Sequence, residues 1–448
     1  MILKKDHKID LVEISVNNLL KLVLIFFFIS NCSLHKNSKF WSNQDIIKEK
    51  KKNVSEIIRK KEKLTDEFNP NLKISLYSKT ISKSFINNFD NNNGRVAYNG
   101  ELKNLSKYKF SKIKNFHQYD TKISLYNDDI IFFDNKGSIL RFDKDSDLVW
   151  KKNNYTKSEK KQNPILFFEN NKKTIIIADN ISKYYALDIN TGELLWSKNN
   201  TAPFNSQLKI YKDKFFLIDY NNTLRAYNIK DGNEIWKIKT ENSLIRSQKK
   251  LSMVIIENKI YFNNYLGDIS AVDIESGQLL WQTPTQTSLI DGENFFLKIS
   301  DIIGDKYTLY FSNNKNQFFA LDIKTGFVNW KQKINSNLRP TLIDNYIFTV
   351  SLSGYLVVID KNSGKIIRIT DAFKTLKNRK KNRILPTGFI VGNNNIYIST
   401  SHGRLLVLDI ETGMVIDTIK IDNNKIARPL ILNQKMFITT DSSIIKLN

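Results

Sequence analysis

A tryptophan-bearing motif that repeats along most of the chain is the feature that most restricts its fold. Five of the six tryptophans occur in one local setting, two or three apolar residues after a turn: Trp150, Trp196, Trp236, Trp281 and Trp330. Two further copies place Arg368 and Asp417 at the tryptophan position. The seven positions are 46, 40, 45, 49, 38 and 49 residues apart, a mean of 44.5. Such periods are typical of β-propeller blades and of helical-repeat pairs.

Strand and turn signals within one repeat favour the propeller. In the copy that ends at Trp281, alternating apolar stretches begin at Lys259 and Ile269, with short turns between them. No stretch of this unit is long enough for a helix. The last turn ends in Gly277, which predicts a type I turn with a G1 bulge whose final residue has φ > 0. Glycine recurs at this position in other repeats, among them at Gly192, Gly326, Gly364 and Gly413.

Counting the repeats predicts eight blades. Eight units of 44.5 residues occupy about 356 residues, so the first begins near residue 92. The C-terminal stretch 444–448 has the pattern of a third strand with no outer strand after it. We expect the alternating segment 105–113 to supply that strand, with Tyr108 at the tryptophan position, because ring closure removes an open sheet edge. The sequence thus predicts an all-β, eight-bladed propeller of four-stranded antiparallel blades, closed by an N-terminal strand, whose tryptophans pack on neighbouring blades.

The N-terminus has the pattern of a secretory signal. Residues 22–29 form an apolar run behind four lysines. That run is shorter than the about 20 residues that span a bilayer, whereas a charged start and a short apolar stretch are typical of a signal peptide. The sequence at 29–32 resembles a bacterial lipobox, which implies acylation of Cys32, palmitate included. Ser33 after the cysteine implies the outer membrane. A signal peptide with an incidental cysteine and an uncleaved anchor are the alternatives.

The repeats and the N-terminal signal pattern together predict the domain organisation. We assign residues 1–31 to the signal peptide, 32–98 to a Lys/Asn-rich solvated tether and 99–448 to the propeller. A charged, partner-binding helix over residues 44–68 is the alternative for part of the tether.

The chain is strongly basic, with 69 Lys and Arg against 45 Asp and Glu, a net charge of +24. Such a charge invites a nucleic-acid interpretation. Lys, Asn and Ile are nevertheless abundant in every part of the chain, so we attribute the charge to compositional bias and predict no nucleic-acid partner. One basic run is either a solvated loop or a contact with an anionic lipid surface or an acidic partner. It contains Lys377, Arg379, Lys380, Lys381 and Arg383.

The sequence contains no motif for nucleophilic catalysis, phosphate binding or structural zinc. His402 lies in a Ser-His-Gly sequence, and we interpret it as a turn residue rather than a metal ligand. Five aspartates recur at one place in the repeat and are interpreted as strand-end structure: Asp188, Asp273, Asp322, Asp360 and Asp409. We therefore predict no catalytic residue, metal site or cofactor.

Two copies of the repeat, 186–196 and 320–330, resemble the repeat of quinoprotein (PQQ) dehydrogenases and of the BamB family of outer-membrane assembly lipoproteins. The resemblance covers roughly residues 100–448. The dehydrogenases combine this repeat with a cofactor funnel, acidic calcium ligands and often a vicinal disulfide, which one cysteine cannot form. The lipobox, the eight repeats and the closing segment favour the BamB family.

Membership of that family implies a non-enzymatic periplasmic scaffold at the outer membrane, which binds the POTRA region of the assembly β-barrel. In the family, a loop after the third repeat carries a Leu/Arg docking motif, and this chain has Leu244, Ile245 and Arg246 there. A second interface loop with a Ser-Asp-x-Asp motif is matched at Asp301, but its second acidic position is Ile303.

Alternatives remain for both the site and the function. A strand-edge packing cluster is the alternative for the first loop, although an arginine offers both an apolar stem and a bidentate donor to a partner. A PQQ-dependent dehydrogenase and a propeller scaffold for another envelope complex are the alternative functions, since propellers carry many activities.

Overall fold

The structure, a computed structural model, describes residues 66–78, 80, 94–119, 122–241, 249–285, 299–313, 316–376, 381 and 383–448. These residues form strands in eight four-stranded antiparallel sheets, and one short helix, α1 (Lys157–Lys161). The predicted all-β, eight-bladed propeller is confirmed. No helix within the described ranges has the length and hydropathy that crossing a bilayer requires.

Each blade is a meander of four consecutive strands, with the eighth completed from the N-terminal side. The strand bounds of blades 1 to 4 are β2 (Ser124–Tyr126), β3 (Asp129–Phe133), β4 (Ile139–Phe142), β5 (Leu148–Lys152); β6 (Leu166–Asn170), β7 (Thr174–Asp179), β8 (Lys183–Asp188), β9 (Leu194–Asn199); β10 (Lys209–Tyr211), β11 (Lys214–Ile218), β12 (Thr223–Asn228), β13 (Glu234–Lys239); β14 (Met253–Ile256), β15 (Lys259–Asn263), β16 (Ile269–Asp273), β17 (Leu279–Thr283). Those of blades 5 to 8 are β18 (Ile303–Gly304), β19 (Thr308–Ser312), β20 (Gln317–Asp322), β21 (Val328–Lys333); β22 (Thr341–Ile343), β23 (Tyr346–Val350), β24 (Tyr355–Asp360), β25 (Ile366–Asp371); β26 (Pro386–Val391), β27 (Asn395–Thr400), β28 (Arg404–Asp409), β29 (Val415–Lys420); β30 (Leu430–Leu432), β31 (Lys435–Thr439), β32 (Ser443–Leu447) and β1 (Asn104–Lys109).

The two middle strands of each blade carry most of the core. In blade 2, β7 and β8 are buried at almost every position, because both faces of the sheet meet neighbouring blades. The outer strand β9 alternates between exposed and half-buried residues. The first strands of blades 1 to 5 contact one another in succession, which places the first strand of each of these sheets next to the central axis.

The meander gives the ring two distinct faces. Turns between the first and second strands, and between the third and outer strands, lie at one end of every blade, which we call the hairpin face. Turns between the second and third strands lie at the opposite end, together with the connections from each blade to the next. We call that end the connection face.

The ring is closed by β1, which pairs antiparallel with β32 as the outer strand of blade 8. The strand is shorter than the predicted segment 105–113, because beyond Lys109 the backbone binds the turn at residues 441–442 instead of continuing the ladder. Tyr108 is fully buried, and its hydroxyl donates to the carbonyl of Lys144 in the next blade, 3.4 Å away. The predicted closing strand is therefore confirmed.

Each outer-strand tryptophan packs on the following blade. The indole N–H donates across the blade boundary to a turn carbonyl, at 2.9 to 3.3 Å, in five pairs: Trp150 to Ile189, Trp196 to Ile229, Trp236 to Ile274, Trp281 to Ile323 and Trp330 to Lys361. The indole ring lies over the glycine that ends the same turn. A Cβ added to Gly326, for example, would lie 2.5 Å from the ring of Trp281.

The glycine turns have the predicted geometry. Gly326 has φ of +73°, and the register shifts by one residue between Ala320 and Leu321, as in a G1 bulge. No other residue type meets both requirements at Gly326, since a side chain would be strained at this φ and would strike the indole. The glycine therefore serves the turn and the blade contact together.

Part of the segment expected to be a tether packs on the propeller. Phe68 forms a two-way backbone pair with Ile369 of the outer strand β25, with N–O distances of 3.1 and 2.8 Å. Ile74 and Val96 donate their N–H groups to backbone carbonyls of blade 7, and both side chains are buried. The segment thus adds apolar contacts to blades 6 and 7, and the domain boundary at residue 98 stays a prediction.

Truncating one tryptophan should weaken the ring. We expect Trp281→Ala to lower the free energy of unfolding by about 3 to 5 kcal/mol, because it removes the ring packed on Gly326 and opens a cavity at the blade boundary. Trp281→Phe keeps an aromatic ring but loses the N–H donor, so its cost should be about 1 kcal/mol. Denaturant unfolding measures both values. An unchanged melting temperature for Trp281→Ala would contradict the contact.

Candidate functional site

The central opening of the connection face is lined by charged residues that stand just before the first strands. Four of them lie two positions ahead of the first strand of their blade: Lys122, Asp301, Arg339 and Arg428. The repeat thus brings residues that are far apart in sequence to equivalent places around one axis. We call these four, with Lys209, Lys249, Lys250 and Glu169, the axial charge cluster.

Asp301 is the one predicted partner residue that the structure describes. It precedes β18 and faces four cations of the axial charge cluster, Arg339, Lys250, Lys249 and Arg428. Burial by itself would raise the pKa of Asp301, but the surrounding positive charges outweigh it and hold the pKa below its usual range. Asp301 is therefore a carboxylate under ordinary conditions.

The other three predicted partner residues, Leu244, Ile245 and Arg246, lie outside the described residues. The residue that follows their loop is described: the ammonium group of Lys249 donates to the carbonyl of Asn337, at 2.7 Å. Since Lys249 also acts electrostatically on Asp301, the second predicted interface position lies beside the end of this loop.

Ile303 occupies the second acidic position of the family's motif, and its place in the fold explains the apolar residue. It is the first residue of β18, is fully buried and belongs to the core between blades 5 and 6. An acidic side chain at this depth would need a buried counter-charge. Only the first half of the motif is therefore available at the surface in this chain.

Sequence reasoning missed the basic part of the axial charge cluster. Lys209 opens β10 with 3% of its surface exposed. Burial, and then the nearby charge of Lys122, lower its pKa to about 7. Lys122 forms an ion pair with Glu169 of blade 2. The recurrence of charges becomes visible when the repeats are aligned by their first strands, because no local motif marks it.

The recurring aspartates are structural, as predicted. Asp188 accepts hydrogen bonds from the backbone N–H groups of Asn190 and Thr191, both at 2.9 Å, and these bonds lower its pKa. The same arrangement occurs in the turns that contain Asp273 and Asp322. These carboxylates cap their own turns on the hairpin face, away from the axial charge cluster.

The described residues include no group of three or more His, Cys, Asp or Glu side chains placed to hold a metal ion. His402 lies in the turn between β27 and β28 and shares a hydrogen bond of 3.0 Å with the hydroxyl of Ser401. The turn interpretation of His402 agrees with this position.

Comparison with known proteins identifies related sequences and folds. A family model described as outer membrane protein assembly factor BamB matches residues 135–370, more than half of the chain. A search of curated proteins finds no significant match.

Three solved structures illustrate the structural likeness. BamB from Moraxella catarrhalis aligns with a TM-score of 0.64 and 16% identity, covering 78% of this chain and 100% of that one. A europium-containing methanol dehydrogenase aligns with a TM-score of 0.60 and 13% identity, over 80% and 89% of the two chains. The computationally designed Ika8 protein gives a TM-score of 0.57 and 12% identity, over 78% and 99%. At these identities the likeness is one of fold.

Replacing the buried lysine should remove a pH-dependent part of the stability. The pKa of Lys209 is about 7 in the fold against 10.5 for an ordinary lysine, so between these values the unfolded chain binds more protons than the folded one. From about pH 7 to about pH 10, the free energy of unfolding should therefore rise by about 3 kcal/mol relative to Lys209→Met. Denaturation across this range measures the difference, with the exposed Lys230→Met as control. Parallel profiles for the wild type and Lys209→Met would refute the buried amine.

Proposed function

This chain belongs to the family of the outer membrane protein assembly factor BamB, and from that membership we propose that it is a non-enzymatic scaffold of the outer-membrane β-barrel assembly machinery. In this proposal, the connection face binds the periplasmic POTRA region of the assembly barrel and so assists insertion of outer-membrane proteins. The observation that carries the proposal is the family match over residues 135–370. The axial charge cluster supports it, because the predicted contact residue Asp301 lies there together with Lys249, which follows the other predicted contact loop in sequence.

The axial charge cluster is suited to a polar partner surface. Asp301 offers an acceptor, while Arg339 and Lys249 are cations beside it. Opposite charges arranged in this way favour one docking orientation and speed encounter more than they add affinity. The proposed anchor within that surface is Arg246, since an arginine flanked by Leu244 and Ile245 combines an apolar contact with bidentate hydrogen bonding.

The proposed location is the periplasmic face of the outer membrane, with acyl chains on Cys32 as the anchor. Each buried CH₂ contributes about 0.8 kcal/mol, and one chain alone holds a protein only marginally, so several chains are needed for stable attachment. The family match supports an outer-membrane association, and the lipobox-like sequence at 29–32 supports the anchor.

A pull-down from solubilised envelopes separates this proposal from its alternatives. Retention of the assembly barrel supports the scaffold role. Retention of other envelope proteins without the barrel would favour a scaffold for a different complex. A change in PQQ absorbance on mixing the protein with PQQ and calcium, followed by dye-linked oxidation of an alcohol or sugar, would favour the dehydrogenase instead.

Removing the proposed acylation site should release the protein. We expect Cys32→Ala to move the chain from the membrane fraction to the soluble fraction, because the acyl chains have no other attachment point among the chain's cysteines. Cell fractionation and immunoblotting measure the distribution. Ser33→Ala, next to the cysteine, serves as the control and should stay with the membrane. An unchanged distribution of Cys32→Ala after a wash at high ionic strength, which removes charge-driven attachment, would rule out the lipid anchor.

Truncating the proposed anchor arginine should weaken partner binding without affecting the fold. We expect Arg246→Ala to raise the Kd for the soluble POTRA domains by about tenfold or more, as for a central interface arginine. Lys230→Ala is the matched control, because it removes one exposed positive charge from the hairpin face of the same blade. Titration calorimetry measures both affinities. Equal affinities, with unchanged melting temperatures, would remove this loop from the interface.

A further inference from the structure

A cleft at the outer part of blade 7 has a composition that the scaffold role does not explain. Its volume is about 740 Å³, and it opens where the turn between β27 and β28 meets the connections on both sides of the blade. The lining residues are Arg383, Ile384, His402, Arg404, Lys420, Asp422 and Asn423. We call this the blade 7 cleft. It lies on the connection face, like the axial charge cluster.

The cations of the cleft are Arg383, Arg404 and Lys420. Among the described residues, no carboxylate lies within ion-pair distance of Arg383, Arg404 or Lys420. The one acidic residue of the lining is Asp422, whose carboxylate accepts backbone N–H groups of its own turn, at 2.7 and 2.9 Å. The described lining residues therefore give the cleft a net positive charge, with three cations against one carboxylate.

Two of these cations stand directly opposite each other in the sheet. Arg404 opens β28 and pairs in register with Lys420, the last residue of β29. Like charges at directly opposed positions destabilise an antiparallel pair. An anion bound between the two side chains would reverse the sign of that interaction.

The rim of the cleft carries an exposed leucine. Leu385, which follows the lining residue Ile384, is 50% exposed. Its backbone is held by two hydrogen bonds to Ser401, which adjoins the lining residue His402: the Leu385 N–H donates to the Ser401 hydroxyl at 3.0 Å, and the Ser401 N–H donates to the Leu385 carbonyl at 2.8 Å. An exposed apolar side chain on a held backbone, beside a cluster of cations, suits the boundary between lipid headgroups and acyl chains. The cations interact with the headgroups there, and the leucine contacts the acyl chains.

The stretch that follows the proposed anchor segment in sequence lies near the same place. The carboxylate of Glu67 accepts the backbone N–H of Asp371 at 3.1 Å and the ammonium of Lys374 at 3.2 Å, at the connection-face end of β25. Asp371 in turn accepts the ammonium of Lys381, at 2.7 Å, two residues before Arg383 of the cleft. Glu67, near the first described residue of the chain, thus lies beside the cleft.

We propose that the blade 7 cleft binds phosphate groups of anionic phospholipids, so that the connection face of blade 7 rests on the membrane surface. Arg404 and Lys420 hold the phosphate, Arg383 adds a third cation, and Leu385 contacts the apolar layer. The inference rests on the proposed membrane location but is independent of the proposed protein partner.

A double substitution in the cleft tests the inference. Chains that begin at residue 32 and carry Cys32→Ala, so that neither acyl chains nor the apolar run at 22–29 contributes, are partitioned onto vesicles of phosphatidylcholine with or without phosphatidylglycerol. Arg404→Gln with Lys420→Gln should reduce partition onto the phosphatidylglycerol vesicles by about tenfold to thirtyfold, the effect of two charges near an anionic surface. The matched control is Lys107→Gln with Lys331→Gln, which removes two exposed charges from the outer strands β1 and β21 and should change partition by less than about threefold.

The outcomes separate the lipid from other anions. Equal loss in the cleft and control variants would show that general charge, not the cleft, drives binding. Saturable binding of inorganic phosphate at the cleft, with no preference for phosphatidylglycerol vesicles, would assign it to a soluble phosphate and overturn the lipid proposal. If the melting temperatures of both double variants are unchanged, a loss of vesicle binding reflects the cleft and not unfolding of the protein. Retention of the assembly barrel by the cleft variant would show that the scaffold proposal stands or falls separately.

Discussion

The ring depends on the contact between each outer-strand tryptophan and the glycine turn of the following blade. The indole covers a glycine that no other residue could replace, and its N–H satisfies a turn carbonyl of the next sheet. One blade cannot bury both of its faces alone, so the contact joins sheets that are individually unstable. At the ring's closure, Tyr108 donates to the equivalent carbonyl of the first blade, and the same interaction is completed by a different residue.

A rigid ring of this kind determines what its two faces can do. The hairpin face is occupied by the tryptophan contacts, the self-capped aspartate turns and the N-terminal segment around Ile74 and Val96. The connection face carries the longer segments, the axial charge cluster and the blade 7 cleft. The cluster and the cleft lie on the same side of the ring, one at the axis and the other at the periphery. A protein partner at the axis and a membrane at the edge are therefore compatible in one orientation.

Most of the fold could be predicted from the sequence, because each repeat contains its own strand and turn signals. Trp281, Gly277 and the alternating strands that precede them specify a blade, and counting the repeats specifies the ring. The axial charge cluster was missed because a residue such as Lys209 reveals its position only when its blade is placed around the axis. The packing of Ile74 was missed for a related reason: the alternation of Leu72, Ile74 and Leu76 is short, and the side chain is buried by residues of blades 6 and 7, which are distant in sequence.

The two repeats without tryptophan show how the exceptions follow from the same contact. Arg368 takes the tryptophan position in blade 6 and donates to the carbonyl of Leu72, at 2.9 Å, as well as to that of Glu411 in the next blade. A tryptophan has one donor and would cap one carbonyl, whereas arginine reaches both the next blade and the N-terminal segment. Asp417 takes the tryptophan position in blade 7. The following blade, blade 8, has no turn between its third and outer strands, because these strands are β32 and β1, from opposite ends of the propeller sequence. There Tyr98, which precedes the closing strand β1, donates its hydroxyl to the carbonyl of Asn448, at 2.7 Å, and so supplies the donor that the outer strand β29 lacks.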